Sequence, residues 1–270
     1  QRLDFFLLAM DQLVNGAAKW HYMYGSKLNV PITIRLIIGR GWGQGPTHSQ
    51  NLHAWFAHIP GLKVVMPTTP SDAKGLLISS ILDPNPVIFL EHRWLHNLEG
   101  PVPEGDHRVP IGLAKNMHKG KDITIVSSSY MTIEAMHAAK YLRKYDINCD
   151  IIDLRSIKPI DWDCITQSVK KTGKLIVVDS GFSFGSIASE IVATITERNF
   201  NDLKCAPVKM AMPDVPEPTS VTIKKNFYIR ANDIIMKVIK ILDLDENNFA
   251  KSFDEPMFHD VPGDWFKGPF

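Results

Sequence analysis

The sequence has few cysteines, almost no net charge and no long apolar run, and each absence excludes a class of protein. Its three cysteines are widely spaced and form no Cys-x-x-Cys pair. This argues against a zinc site or a disulfide framework and for a reducing compartment. With 30 basic and 29 acidic residues the formal charge is only +1, so nothing indicates binding to nucleic acid or to an anionic membrane. No apolar run approaches the length of a membrane span, and the first residues do not resemble a signal peptide.

What remains is the composition of a globular protein. The chain has 270 residues, of which 44% are hydrophobic and 22% charged, enough for one large or two medium domains. Residues 4–24 have the apolar period of a helix from the first turn onward. Because the chain opens inside an apparently packed element, we expect Gln1 to be a fragment boundary within a longer polypeptide.

The most informative segment is the glycine-rich loop, residues 39–50 (GRGWGQGPTHSQ). It follows a strand-like run at residues 32–38 and leads into a predicted helix, which is where parallel α/β folds place their chemistry. Its four glycines, at alternate positions, match neither the dinucleotide-binding fingerprint nor the phosphate-binding P-loop. A tight crossover whose glycines serve only packing is the simpler alternative. The His-Ser-Gln end of the loop favours a functional interpretation.

His48 is the candidate catalytic residue of this loop. A histidine between a buried strand and a helix is suited to act as a general acid or base, or to donate to a developing charge. Ser49 follows it and is predicted to cap the helix. A second cap, Ser71, is predicted for the helix at residues 70–82. We interpret His53 and His58, on the helix after the loop, as packing or surface residues.

The order of elements predicts an α/β fold with parallel sheets. Near-continuous apolar runs separated by helical patterns predict buried strands joined by right-handed crossovers. Residues 1–98 are predicted to form a first module, and residues 99–118, rich in proline and glycine, a linker. Residues 119–245 read as a clean alternation of strands and helices, and residues 246–270 as an irregular tail that lies across a partner or the surface.

Several motifs occur together and in order between about residue 3 and residue 242. They are the D-Q-x-x-N-x-A-A-K pattern at 11–19, THSQ at 47–50, PGLKVVMP at 60–67, DAKGL at 72–76, NPVIFLE at 85–91 and DLRSIKP at 153–159. In these motifs the chain resembles beta subunits of the decarboxylating component of 2-oxo acid dehydrogenase complexes, of the pyruvate or branched-chain type.

The resemblance implies a transketolase-like fold: a pyrimidine-binding module, here partial, followed by a flavodoxin-like carboxy-terminal module. It also implies oxidative decarboxylation of a 2-oxo acid, with acyl transfer to a lipoyl group. The implied cofactors are thiamine diphosphate, shared with an alpha subunit, and magnesium held by that subunit, since this chain has no Gly-Asp-Gly motif. The implied partners are the alpha subunit, a second beta subunit and a lipoyl-bearing acyltransferase. The implied location is the cytoplasm, or the mitochondrial matrix in a eukaryote.

Residue roles carry over at matching positions only. His48 corresponds to the histidine that hydrogen-bonds or protonates as the lipoyl disulfide opens, and Phe5 to the aromatic residue that stacks on the aminopyrimidine ring. Without the resemblance, Phe5 would be interpreted as a helix core residue. The family's activating glutamate lies upstream of the region matched here, and no carboxylate between Gln1 and Phe5 is matched to it.

The resemblance also implies a structural potassium site formed by Ser80, Asp83 and Asn85. A helix carboxy terminus presents unpaired carbonyl groups that suit a monovalent cation. The alternative is that residues 83–86 (DPNP) form only a helix-stopping turn.

Two other functions stay open. One is a non-catalytic assembly module that dimerises or docks the core acyltransferase. The other is a half-transketolase acting on sugar phosphates, which would call for a cluster of phosphate-binding arginines and histidines that the sequence does not suggest. The choice between pyruvate and a branched-chain substrate does not follow from the sequence, because the alpha subunit shares the pocket.

Overall fold

The computed structural model describes residues 2–40, 44–224 and 227–249. Three residues of the glycine-rich loop, 41–43, and most of the predicted tail, 250–270, lie outside the described residues. The strands are β1 (Thr33–Ile38), β2 (Lys63–Val65), β3 (Val87–His92), β4 (Lys115–His118), β5 (Ile123–Ser127), β6 (Cys149–Asp153), β7 (Ser156–Lys158), β8 (Leu175–Phe182) and β9 (Val208–Met212). The α-helices are α1 (Leu3–Phe6), α2 (Ala18–Met23), α3 (His53–His58), α4 (Pro70–Ile81), α5 (Tyr130–Leu142), α6 (Trp162–Thr172), α7 (Ile187–Asn199), α8 (Val221–Lys224) and α9 (Ala231–Ile241).

The first sheet has the order β1-β3-β2-β7. Its first three strands are parallel, and β7 pairs antiparallel with β2. Strand β3 is central and buried along most of its length, as its continuous apolar run predicts. Because parallel strands end at the same edge, the loop after β1 and the 3₁₀ turn after β3 meet there. This edge carries the candidate site.

The second sheet has the order β4-β6-β5-β8-β9, and all its neighbouring pairs except β4 with β6 are parallel. Helices α5, α6 and α7 pack on it, and α9 packs against α5. The predicted alternation of strands and helices is therefore confirmed. Strand β4 lies within the segment predicted as a linker, because Lys115–His118 extends along the edge of β6.

The amino-terminal helix is interrupted. The single helix predicted over residues 4–24 is instead α1, a 3₁₀ turn at Leu7–Ala9, a π-helical segment at Gln12–Ala17, and then α2. The sequence correctly predicted that this segment is helical. It did not predict the interruptions, because local π segments depend on tertiary packing. Gly61 packs directly against the end of this segment, with no room for a Cβ beside the Ala18 carbonyl oxygen.

Both predicted helix caps were wrong. Helix α4 is capped by Thr69, whose side chain accepts from the Asp72 N–H, because Pro70 occupies the first helical position. Ser71 instead lies 3.1 Å from Nε2 of His107. Ser49 caps nothing, because α3 begins only at His53 and its amino terminus has no side-chain cap.

The two sheets share a continuous core and are joined by polar contacts. One cluster of buried side chains contains Leu36 and Val64 of the first sheet together with Val126 and Ile152 of the second. Strand β7 crosses from the second module to extend the first sheet. The division of the chain into modules at the predicted boundaries stays a prediction, and the contacts between the modules are described below.

Candidate functional site

The glycine-rich loop leaves β1 through a residue that has to be glycine. Gly39 has a φ of +72°, and a Cβ there would overlap the imidazole of His92. A residue with a Cβ would be strained at this φ and would also collide with the buried His92 ring, so only glycine fits. The chain thus turns sharply at Gly39, beside His92 at the end of β3.

Arg2 holds the two ends of this loop together. Its guanidinium donates to the main-chain oxygen of Gly39 at 2.8 Å, and its Nε donates to that of His48 at 2.7 Å. It also contacts Oε1 of Gln44, and its backbone bridges to Ile37 of β1. Burial lowers the pKa of Arg2 to about 10, with nearby Arg93 acting in the same direction, so the group remains charged near neutral pH. A single cation therefore fixes the backbone on both sides of the loop.

His48 lies between an acidic and an aromatic residue of α1. Its Nδ1 is 2.8 Å from Oδ2 of Asp4, and its ring centroid is 5.4 Å from that of Phe5, with the two planes tilted by 31°. The His48 side chain is 43% exposed and that of Asp4 only 7%. Phe5 is 56% exposed, so it is not the core residue expected without the resemblance. The structure thus brings the two predicted residues, Phe5 and His48, together on one open face.

Imidazole and aromatic rings pack beside the start of the loop. His92 is stacked on Tyr130 with centroids 5.1 Å apart, and the Arg40 guanidinium lies 4.6 Å from the Tyr228 ring centroid. Burial, aided by the charges of His96, Arg2 and His53, lowers the pKa of His92 to about 3. His92 is therefore neutral at pH 7 and supports the loop without competing for the proton of His48.

The other histidines of this region differ from His48. His53 is fully buried and its Nε2 is 2.7 Å from Oδ1 of Asp179 on β8, whereas His58 is exposed. Neither ring lies beside Phe5 in the way that His48 does.

The predicted cation residues lie together at the end of α4. The Asn85 N–H donates to Oδ1 of Asp83 at 2.9 Å, and the Ser80 hydroxyl donates to the Leu76 carbonyl at 2.6 Å. Oδ1 of Asn85 is buried without a hydrogen-bond partner in the described part of the chain. Lys63 binds the second carboxylate oxygen of Asp83. The unpartnered Oδ1 of Asn85 fits a cation site, whereas the Asp83 carboxylate is already paired with the Lys63 ammonium group.

Among the described residues, no group of three or more histidine, cysteine or acidic side chains could hold a metal ion. No described helix is long and apolar enough to cross a membrane. A groove of about 1030 Å³ runs between α3 and the elements β7, α6 and α7, with Trp55, Trp162 and Phe184 among its lining residues. Neither Phe5 nor His48 lines it.

Sequence reasoning missed Arg2 and Asp4. Both lie beside Phe5, but nothing local connects them with residues 44–48 farther along the chain. Their contacts depend on α1 packing against the edge of the first sheet.

The family model of the transketolase pyrimidine-binding domain matches residues 1–97, and that of the transketolase C-terminal domain matches residues 112–234. The chain is 42% identical over 239 residues to the pyruvate dehydrogenase E1 component subunit beta of Rickettsia bellii, covering 88% of this chain and 73% of that protein. The chain belongs to this family of E1-type beta subunits. The family recognised from the sequence motifs is thereby confirmed.

A second kind of relative was not anticipated from the sequence. The chain is 44% identical over 222 residues to the acetoin:2,6-dichlorophenolindophenol oxidoreductase subunit beta of Cupriavidus necator, covering 82% of this chain and 66% of that protein. The counterpart in Bacillus subtilis is 37% identical over 240 residues, which is 88% of this chain and 70% of that protein. The chain thus spans about two thirds to three quarters of the length of these relatives.

The fold comparison agrees with the family. A solved structure titled split gene transketolase, inactive beta4 tetramer, superposes with a TM-score of 0.70 at 23% identity, covering 90% of this chain and 74% of that one. At this identity the similarity concerns the fold. The predicted transketolase-like α/β fold is confirmed.

Proposed function

We propose that this chain is the beta subunit of a thiamine-diphosphate-dependent E1 component. It would act in the oxidative decarboxylation of pyruvate or a branched-chain 2-oxo acid, with acyl transfer to a lipoyl group. The observation that carries the proposal is the open pair of rings, Phe5 and His48, with centroids 5.4 Å apart. The names of the relatives support the reaction class.

The residues present fit half of a thiamine diphosphate site. The half-exposed face of Phe5 is an apolar platform for the aminopyrimidine ring. The diphosphate and its magnesium would be held by the alpha subunit, since this chain has no Gly-Asp-Gly motif. When bound, the cofactor would accept the electron pair released as carbon dioxide leaves.

This chain's own residues would bind, orient and move a proton. Phe5 orients the cofactor ring, and His48 exchanges a proton with the substrate or the opening lipoyl disulfide at its free ring nitrogen. Arg2 keeps the loop that carries His48 in place through its bonds to Gly39 and His48. Neutral His92 excludes water and charge from behind the loop.

The alpha subunit would complete this site by covering the open face. Leu8, one helical turn beyond Phe5, is 95% exposed, and a cluster of exposed apolar side chains is typical of a protein interface. A second beta subunit and a lipoyl-bearing acyltransferase complete the proposed assembly. Cys149, Cys164 and Cys205 are all free thiols, in keeping with the cytoplasm or the mitochondrial matrix as the proposed compartment.

The proposal is tested by assaying the full-length protein mixed with its alpha partner. Pyruvate, 2-oxoisovalerate and acetoin are offered in parallel, with either an artificial electron acceptor or a lipoyl domain as the second substrate. We expect turnover of at least one substrate. In His48→Ala, lipoyl acylation should fall by roughly 100-fold or more, as loss of general acid–base catalysis predicts, and by more than reduction of the artificial acceptor.

His21→Ala is the matched control, because His21 lies on α2 and its Nδ1 is 2.7 Å from Oδ1 of Asn29, a contact that involves neither Phe5 nor His48. It should leave both activities unchanged. No turnover of any substrate, together with no effect of His48→Ala on any activity, would overturn the proposal. Tight subunit binding without cofactor in the interface would instead support a non-catalytic assembly module.

We also propose that Ser80, Asp83 and Asn85 bind a potassium ion that stabilises the turn after α4. The buried, unpartnered Oδ1 of Asn85 supports this, and the Lys63 ammonium group bound to Asp83 competes with it. Potassium should raise the melting temperature relative to choline, and by more in Lys63→Met, where the competing charge is absent. Equal melting temperatures in both salts for both proteins would exclude the site.

A further inference from the structure

Among the described residues, two histidine–carboxylate pairs differ in exposure. In the pair of His53 with Asp179, both side chains are almost completely buried, 0% and 4% exposed, so its role is to join elements. In the pair of His48 with Asp4, the carboxylate is 7% exposed but the imidazole is 43% exposed. Only the second pair has a buried acceptor on one side and a solvent-facing ring on the other.

The contact with Asp4 selects one tautomer of the neutral imidazole. A carboxylate is only an acceptor, so the nitrogen that faces it has to carry the hydrogen. That nitrogen is Nδ1, 2.8 Å from Oδ2 of Asp4. The proton-exchanging position is then Nε2, which makes no hydrogen bond within the described residues. A hydrogen bond at one ring nitrogen determines what the other can do.

Two neighbours of Asp4, Arg2 just before α1 and Phe5 on it, hold the same histidine in other ways. Arg2 binds its main-chain oxygen, and Phe5 contacts its ring. Backbone position, ring orientation and tautomer of His48 are thus each determined by a different residue within the first five of the chain.

We propose that Asp4 is a positioning residue, which holds the neutral His48 ring as the Nδ1–H tautomer and directs Nε2 to the reacting group on the open face. The last part of this statement rests on the proposed function, whereas the tautomer does not. Asp4 touches neither substrate nor cofactor in this role and acts only through His48.

The decisive experiment is ¹⁵N NMR of the imidazole rings in the full chain, labelled at histidine, with His48→Gln used to assign the His48 signals. In the wild type the neutral His48 should have Nδ1 shifts of a protonated nitrogen and Nε2 shifts of an unprotonated one. In Asp4→Ala the balance should move to the Nε2–H form. Asp4→Asn, whose amide oxygen still accepts from Nδ1–H, should restore much of the wild-type pattern.

Asp106→Asn is the control, because Asp106 forms an exposed pair with Arg108 and should leave the His48 signals unchanged. If Asp4→Ala fails to fold, Asp4→Leu, similar in size to the acid it replaces but unable to accept a hydrogen bond, provides the same comparison. Unchanged His48 nitrogen shifts in a folded variant without the carboxylate would overturn the inference.

Kinetics of the assembled enzyme add a second readout. Asp4→Ala should lower kcat for lipoyl acylation by roughly 10-fold or more and change KM little, because a misoriented acid–base group affects the transition state and not substrate binding. Recovery of kcat in Asp4→Asn supports positioning, and an equal kcat in Asp4→Ala and wild type overturns it. If the wild type shows the expected tautomer but no turnover, the proposed function fails while the assignment of the tautomer to Asp4 stands.

Discussion

Asp153 lies at the carboxyl end of β6, and its side chain is fully buried. Burial disfavours the charged form of this side chain. Oδ1 accepts from the Arg155 N–H at 3.2 Å, while Oδ2 is buried without a hydrogen-bond partner in the described chain. Burial raises the pKa of Asp153 to about 7, and the nearby Asp72 carboxylate acts in the same direction, opposed by Thr68 and Arg155. The folded protein therefore binds this proton more tightly than the unfolded chain.

We expect the wild type to lose stability as pH rises, because Asp153 then carries a buried charge. Asp153→Asn should not show this loss. The contribution of Asp153 is fully present below its unfolded pKa of 3.8 and is lost as pH rises through about 7. The variant should thus gain on the wild type between pH 4 and pH 8, by at most about 4 kcal/mol. Urea unfolding of both proteins at several pH values measures the difference.

The exposed Asp106→Asn serves as control for this experiment and should show no such pH dependence. A stability difference between Asp153→Asn and wild type that is the same at pH 4 and pH 8 would contradict the prediction.

At the scale of elements, the turn at Gly61 joins the amino-terminal helix to the first sheet. Gly61 has a φ of +97°, and a Cβ would overlap the carbonyl oxygen of Ala18. Lys19 donates to the Pro60 carbonyl at 2.9 Å from the same helix. The turn therefore packs backbone against backbone at the start of α2, where the π-helical segment ends.

We expect Gly61→Ala to destabilise the protein by more than the strain of placing alanine at a positive φ. Gly25→Ala is the matched control, because Gly25 also has a positive φ, +59°, but a Cβ there meets nothing within 4 Å. Both changes incur the steric cost of a left-handed residue, and Gly61→Ala should lose roughly 2 kcal/mol more through the clash. Chemical denaturation compares the two, and equal losses would show that the Ala18 contact does not matter.

At the scale of the molecule, an ion pair and a histidine–carboxylate hydrogen bond between described residues join the modules. Arg155, itself at a φ of +55°, donates to Oδ1 of Asp72 on α4 at 3.1 Å, and His53 on α3 binds Asp179 on β8 at 2.7 Å. Burial by itself would raise the pKa of Asp179. The charge and hydrogen bond of His53, with the N–H groups of Gly181 and Ala188, outweigh it and lower that pKa below its usual value. The carboxylate of Asp179 is thus stabilised across the junction.

We expect the His53–Asp179 contact to show strong coupling in a double-mutant cycle. His53→Ala leaves a buried carboxylate without its partner and should cost about 3–5 kcal/mol, whereas removing both side chains should cost less than the sum of the single changes. The contribution of Asp179 is present above pH 4 and is lost as pH falls through its lowered pKa. The cycle is measured by urea unfolding at pH 7.

The exposed pair of Arg108 with Asp106 is the control cycle and should show no measurable coupling. Strictly additive effects of His53→Ala and Asp179→Ala would contradict the role of this contact in joining the modules.

The longer elements were predictable because their patterns are local. The apolar runs at β3, β5 and β8 and the helical period of α9 coincide with the observed elements. Strands β4 and β7 were missed because each has only three or four residues and exists through its partner strand. Ser49 was a wrong cap prediction because it lies in a turn at residues 46–49, and residues 50–52 separate it from the start of α3 at His53.

The sequence by itself determined the α/β class, the family and the position of the glycine-rich loop with His48, because periodicity, motif order and local steric demands are properties of neighbouring residues. Only the tertiary structure decided that Arg2 holds that loop, that Asp4 meets His48, and that His53 pairs with Asp179 across the module junction. These contacts join residues between 37 and 126 positions apart. They form because packing of the whole chain brings buried polar groups to partners that no local pattern specifies.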